Sequence, residues 1–144
     1  MIPKDILASE IRELHPAGAS DRLGRFIDAM KTYGGWGSFS PLVVVEESAK
    51  YGALTGAHRF TAAKTLGIIR IPCYVISAEV WLKSGLKYAE LRTLPDEERC
   101  KRLTRAGLKE FADQILAQNA QLTPHSPSAT AAGPRAGNED TRCG

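Results

Sequence analysis

Residues 51–76 read YGALTGAHRFTAAKTLGIIRIPCYVI. The segment predicts a strand, a glycine turn, a short helix, a glycine stop and a second strand. Gly56 precedes the helix, and His58 and Arg59 lie in its first turn. The first N–H groups of a helix have no partner within the helix and lie at the positive end of its dipole, so they bind anions. We therefore expect a phosphate-binding site at this turn.

Helical spacing places Arg59 at the opening of that site. Arg59 shares one helical stripe with three apolar residues, which are Ala62, Ala63 and Leu66. This stripe is expected to face the sheet, while Lys64 points towards water. A guanidinium fork matches two phosphate oxygens at once, which a lysine cannot do. The alternative is an ordinary surface arginine whose stem covers the sheet edge while its head reaches solvent.

The composition is that of a globular protein with one domain. The chain has 144 residues, of which 43% are hydrophobic and 24% charged. No apolar run approaches the roughly 18 to 20 residues that cross a bilayer, and the first residues lack the features of a signal peptide. We therefore expect a cytoplasmic protein with no membrane partner. The net charge of +3 is compatible with an anionic ligand.

Cysteine and histidine spacing gives no sign of a metal site. The cysteines are Cys73, Cys100 and Cys143, without C-x-x-C spacing and odd in number. Neither a disulfide framework nor a zinc site is indicated. Cys73 lies in an apolar strand and is predicted to be a small core residue.

The rest of the chain predicts an α+β fold, a small mixed sheet flanked by helices. Strands are expected near 42–46, 51–55 and 71–76, after an opening strand and helical turn within 6–14. Helices are expected from Ser20 or Asp21 to Tyr33, from 78 to 91, and from Pro95 onwards with a weak point at Gly107. The domain would span 1–120, with a helical extension from about 78. The tail, 121–144, is expected to be disordered because it cannot bury enough apolar surface.

A basic stretch in the last predicted helix has two interpretations. It puts five cations in eleven residues with no acid among them: Arg99, Lys101, Arg102, Arg105 and Lys109. Such a patch can contact a DNA backbone. The alternative is a solvated helix face balanced by the acids that precede it.

The segments Thr55 to Arg59, Ala62-Ala63-Lys64, Leu66-Gly67 and Ile71-Pro72 together resemble the ParB/sulfiredoxin superfamily. The resemblance covers about residues 1–80. It implies that Gly56, Ala57, His58 and Arg59 hold the phosphates of a nucleoside triphosphate, ATP or CTP with Mg²⁺. Residues 37–42, including Pro41 and Leu42, would lie near the base or sugar. Glu10 would be the remaining general base.

Departures from the family pattern limit the activity. Sulfiredoxin has its reactive cysteine where this chain has Ala57, so sulfinic-acid repair is not expected. Thr55 replaces the acid of the related free-serine kinases, and Ala57 and His58 replace a glutamate and an arginine of partition ParB proteins. No convincing helix-turn-helix or dimerisation segment follows, which implies a stand-alone domain. Three functions stay open: a nucleotide-binding domain that hydrolyses or transfers phosphate, a nucleic-acid-binding accessory module, and a small-molecule kinase.

Overall fold

The protein is represented by a computed structural model, which describes residues 1–15 and 20–119. The fold is α+β, as predicted: a five-stranded mixed sheet with helices on both faces. The tail predicted for 121–144 lies outside the described residues. No helix in the described part of the chain is long and apolar enough to cross a membrane.

The sheet has the strand order β1-β5-β3-β4-β2. Its strands are β1 (Lys4–Leu7), β2 (Ile11–Arg12), β3 (Leu42–Glu47), β4 (Lys50–Ala53) and β5 (Arg70–Ile76). β3 lies at the centre, antiparallel to β4 and parallel to β5. β1 pairs antiparallel with β5, and β2 pairs parallel with β4.

Alternate residues of β3 belong to two separate hydrophobic clusters. The helices are α1 (Asp21–Tyr33), α2 (Ala57–Thr65), α3 (Ala78–Ser84), α4 (Tyr88–Leu91), α5 (Asp96–Arg105) and α6 (Lys109–Asn119), with a 3₁₀ turn at Ala8–Glu10. Leu42 and Val44 lie in the cluster formed with α1 and α2. Val43 and Val45 lie in the cluster formed with α3 to α6. Because successive strand residues point to opposite faces, a continuous apolar run is needed where both faces are covered.

The first helix follows its sequence signals. The Ser20 hydroxyl accepts a hydrogen bond from the backbone N–H of Leu23 at 3.1 Å, and this caps the start of α1. Gly34 ends α1 in the left-handed conformation with φ +79°. The predicted bounds of this helix are confirmed.

The other two predicted helices are each divided at a glycine. The predicted extent of the helix over 78–91 was wrong, whereas the predicted weak point at Gly107 is where the last helix is interrupted. Gly85, at φ +75°, ends α3, and the predicted helix 78–91 is therefore α3 and α4. Gly107, at φ +86°, separates α5 from α6. Left-handed glycine terminates a helix at little steric cost. α6 then packs against α5 and reaches β3.

Candidate phosphate-binding site

The predicted turn is present between β4 and α2. Gly56 is in the left-handed conformation with φ +81°, and no side chain caps the first turn of α2. The bond from Phe60 N to Gly56 O, 2.8 Å, opens the helix. The amides of the three residues between them therefore precede the helical ladder. By contrast, serine side chains cap α1 and α3.

Gly56 is needed at the turn for space as well as for conformation. A Cβ atom at this position would lie 2.3 Å from Leu42 Cδ2 and 2.9 Å from Arg59 Nη2. The Leu42 side chain is fully buried. The Leu42 side chain and the guanidinium of Arg59 therefore both pack directly against the Gly56 backbone.

Arg59 is buried, with 7% of its surface exposed. Its Nη1 donates to the Ser40 carbonyl oxygen at 2.6 Å, and its Nη2 donates to Gln118 Oε1 at 2.6 Å. The guanidinium also lies 5.5 Å from the centre of the Trp36 ring. Both hydrogen-bond acceptors are neutral, and no carboxylate within residues 1–15 and 20–119 pairs with Arg59. Burial, and secondly the charge of Arg22, lower the pKa of Arg59 to about 10.

Arg99, the other buried arginine of the described chain, has a different environment. It is 2% exposed and forms an ion pair with Asp96. Its remaining N–H groups donate to backbone carbonyls, at 3.0 Å to Leu91, 3.3 Å to Leu54 and 2.6 Å to Leu94. Arg99 is thus neutralised by protein groups and holds α5 against the sheet.

The burial of Arg99 corrects the predicted DNA contact at that residue, because its guanidinium cannot reach a DNA backbone. The other predicted contacts lie nearer the surface. Arg102 is half-buried and 3.9 Å from Glu98, Lys109 pairs with Asp113 at 2.9 Å, and Arg105 is exposed. The acids of the same helices therefore balance part of this charge, and DNA binding through these three residues stays a prediction.

Two further basic groups lie near the start of α2. His58 is half-buried, and its Nδ1 has no hydrogen-bond partner among the residues that the structure describes. Burial lowers the pKa of His58, with smaller contributions from Arg22 and His15. Arg22, in the first turn of α1, lies over the Phe26 ring at 5.8 Å. No sequence motif predicted a role for Arg22. Its charge acts on His58 and Arg59 because α1 and α2 pack together on one face of the sheet.

The glycine-rich loop before β3 is held by aromatic contacts. Trp36 Nε1 donates to the carbonyl oxygens of Phe39 at 3.0 Å and Ser40 at 3.3 Å. Phe39 packs edge-on against Tyr33, with ring centres 5.5 Å apart. A Cβ on Gly37 would come within 1.9 Å of the Tyr33 ring. This loop fixes the Ser40 carbonyl that accepts from Arg59. Pro41, predicted to lie near the base or sugar, follows Ser40 and is half-buried; its role stays a prediction.

Glu10 immediately precedes β2 in the chain. It is exposed in the 3₁₀ turn, next to Ile11, which pairs with Tyr51. The pKa of Tyr51 is raised by burial, then by Glu46 and by Glu10. Tyr51 stands near the beginning of β4, whereas Gly56 follows the end of that strand. The role of Glu10 as a general base stays a prediction.

The two described cysteines do not supply a nucleophile. Cys73 is fully buried, as predicted, and burial raises its pKa to about 12. Cys100 is also buried, and burial raises its pKa to about 11. The thiolate is the reactive form of cysteine. Nor do any three or more His, Cys, Asp or Glu residues in the described ranges form a group that could hold a metal ion.

Comparison with known families identifies the domain. The sequence profile of the ParB N-terminal domain matches residues 2–86. The chain belongs to the ParB N-terminal domain family. The resemblance to the ParB/sulfiredoxin superfamily is thereby confirmed. No curated protein sequence matches this ParB N-terminal domain chain.

Several solved structures are similar to this ParB N-terminal domain at low sequence identity. Sulfiredoxin from Arabidopsis thaliana is 20% identical, with 57% of this chain and 94% of that chain covered and a TM-score of 0.47. Chromosome-partitioning protein ParB from Caulobacter crescentus, complexed with CTP-gamma-S, is 17% identical, with 90% and 74% covered and a TM-score of 0.46. A free serine kinase in complex with AMP is 19% identical, with 52% and 31% covered and a TM-score of 0.45.

Proposed function

We propose that this ParB N-terminal domain binds the phosphate groups of a nucleoside triphosphate at the start of α2. The observation that carries the proposal is the burial of Arg59 without a carboxylate partner in the described chain. An unpaired buried cation costs several kcal/mol, and neutral acceptors offset only part of that cost. Arg99 shows that this same fold can supply a carboxylate to a buried arginine. The environment of Arg59 is therefore suited to an anion from outside.

The groups around Arg59 match a polyphosphate better than a single phosphate. A guanidinium carries five N–H groups, and two of them donate to protein acceptors. The uncapped amides at the start of α2 add further donors, and Arg22 adds a second positive charge nearby. Several negative charges spread over adjacent phosphate groups would be stabilised by this set.

Magnesium would enter this site with the nucleotide. The groups found at the start of α2 are donors and cations, and within residues 1–15 and 20–119 they include no carboxylate that hydrogen-bonds or pairs with Arg59. Mg²⁺ prefers oxygen ligands and is commonly held by substrate phosphates and water. The ion would then reduce the charge of the triphosphate, while Arg59 and the amides would bind the remaining oxygens.

Hydrolysis or transfer of phosphate would need a proton acceptor near the phosphates. His58 is the titratable group at that position, and its lowered pKa keeps the imidazole neutral near pH 7. Glu10, whose charge contributes to the raised pKa of Tyr51, stays the other candidate for this role. We therefore place nucleotide binding first and a His58-dependent reaction second.

Calorimetry with ATP, CTP and GTP in the presence of Mg²⁺ tests the proposal and identifies the base. We expect the wild type to bind at least one nucleotide and Arg59→Ala to bind none while keeping its far-UV circular dichroism. Lys64→Ala is the matched control, because Lys64 is an exposed cation on the same helix; its affinity should change by less than about twofold. Absence of binding heat for all three nucleotides with the wild type would contradict the proposal.

A further inference from the structure

The side chain of Gln118 occupies a position next to Arg59 that a ligand oxygen could take. Gln118 lies in the last turn of α6, outside the 2–86 region matched by the family. It is 6% exposed, and its Oε1 accepts from Arg59 Nη2 at 2.6 Å. A phosphate oxygen binding this Nη2 along the same direction would have to replace the amide oxygen.

The contact between Arg59 and Gln118 is incomplete on the glutamine side. Gln118 Nε2 is buried and has no hydrogen-bond partner among the described residues. An unsatisfied buried amide loses its hydration without compensation. Its neutral oxygen also leaves the charge of Arg59 unbalanced, whereas a phosphate would supply both charge and paired acceptors. Phosphate is therefore the stronger partner for Arg59.

The position of Gln118 in α6 allows the contact to open. Gln118 is the penultimate described residue of α6 and lies beyond Ile115, the last residue of this helix that belongs to the hydrophobic cluster. The earlier part of α6 is anchored, because Ala112 and Ile115 are buried in the cluster that also contains Val43. The last turn can thus separate from Arg59 without undocking the rest of α6.

We propose that Gln118 closes the phosphate site in the absence of ligand and that a bound polyphosphate displaces it. Binding at Arg59 then releases residues 116–119 of α6 from their contact with the site. This inference rests on the proposed phosphate binding. It adds a conformational consequence that depends on a residue outside the family domain.

Two substitutions of Gln118 that should change tripolyphosphate affinity in opposite directions test the displacement. The probe is inorganic tripolyphosphate, and the protein is the full chain. Gln118→Ala removes the competing oxygen, and we expect tripolyphosphate to bind about tenfold more tightly, from the loss of one charge-assisted hydrogen bond. Gln118→Glu is nearly isosteric and places a carboxylate beside Arg59. We expect this variant to bind at least about tenfold more weakly, because the internal anion competes with phosphate.

Gln114 provides the matched control on the same helix. It lies one turn before Gln118, is half-buried, and makes no hydrogen bond to Arg59. Gln114→Ala and Gln114→Glu should each leave tripolyphosphate affinity within about twofold of the wild type. The double variant Arg59→Ala/Gln118→Ala should not bind tripolyphosphate. This result would show that the higher affinity of Gln118→Ala depends on Arg59.

Hydrogen exchange reports the release directly. In the wild type, saturating tripolyphosphate should speed exchange of the amides of residues 116–119 while slowing exchange at the start of α2. In Gln118→Ala the probe should still protect α2, but it should add little to exchange at 116–119, where the contact is already absent.

The outcomes separate failure of this inference from failure of the proposed function. If the wild type binds tripolyphosphate through Arg59 but Gln118→Ala binds it equally or more weakly, displacement is refuted and phosphate binding stands. Weaker binding by both Gln118 variants would make Gln118 a ligand contact. If neither the wild type nor Gln118→Ala binds tripolyphosphate or any of the three nucleotides, both proposals are overturned.

Discussion

Replacing each buried arginine by methionine should affect stability very differently. The pKa of Arg59 falls from 12.5 to about 10 on folding, mainly through burial. For a base, a lower pKa in the folded state means that folding disfavours the charged form. The penalty, about 3 kcal/mol, therefore applies fully at every pH below about 10. Arg59→Met removes this penalty and also removes the hydrogen bonds to Ser40 and Gln118.

The two effects of Arg59→Met nearly cancel. Hydrogen bonds to a charged group contribute about 1.5 to 3 kcal/mol each, but the Ser40 oxygen keeps its bond from Trp36 at 3.3 Å. We expect the free energy of unfolding to stay within about 1 kcal/mol of the wild type. Arg99→Met leaves Asp96 and three carbonyl groups without their donor, and we expect a loss of about 3 to 5 kcal/mol.

Urea denaturation at pH 7, followed by circular dichroism and fitted for midpoint and slope, measures both changes. The full chain without ligand is the protein to use, since nucleotide would stabilise the wild type alone. If Arg59→Met loses as much stability as Arg99→Met, Arg59 is a structural residue that the protein itself stabilises, and its burial does not indicate an external anion.

Three further predictions concern the turn, the histidine and the thiols. Gly56→Ala should abolish nucleotide binding and lower the free energy of unfolding by about 1 to 3 kcal/mol. Gly67→Ala is the control: Gly67 also has a positive φ, +73°, but nothing lies within 4 Å of the added Cβ, so this variant should keep full binding. Equal nucleotide affinities of the two variants in calorimetry would show that the space around Gly56 is not required. Because the pKa of His58 is lowered from 6.5 on folding, the ligand-free protein should lose stability as pH falls below 6.5, and tripolyphosphate should bind more tightly over the same range because its charge favours the imidazolium. His58→Gln should flatten both pH profiles. Unchanged slopes in this variant would show that His58 takes no part. In a Cys143→Ser chain, Cys73 and Cys100 should react with a thiol reagent at pH 8 only as fast as the protein opens; rapid labelling of the native protein would count against their burial.

The sequence predicted what depends on local spacing. Gly56, Arg59 and the apolar stripe of α2 are set by positions a few residues apart, as is the Ser20 cap of α1. The central strand was predictable because β3 is buried on both faces and so reads as an apolar run. The two-residue β2 was missed because so short a strand shows no period.

What the sequence could not show depends on long-range packing. Gln118 is 59 residues from Arg59 along the chain, and nothing in its surroundings in α6 distinguishes it from Gln114. The cations that neighbour Arg99 in the sequence lie nearer the surface. The packing of α5 against the sheet, which the sequence does not reveal, surrounds Arg99 with Asp96 and three carbonyl groups. The run of cations in the sequence therefore predicted a solvent-accessible environment for Arg99, whereas Arg99 is buried.

The Arg59–Gln118 hydrogen bond joins helical layers that lie on opposite faces of the sheet. α2 packs with Val44 on one face, while α6 packs with Val43 on the other. A macromolecule that recognised the last turn of α6 could therefore distinguish the loaded from the empty domain without touching the nucleotide. Signal and ligand would then occupy separate surfaces, and each could change in evolution without disturbing the other.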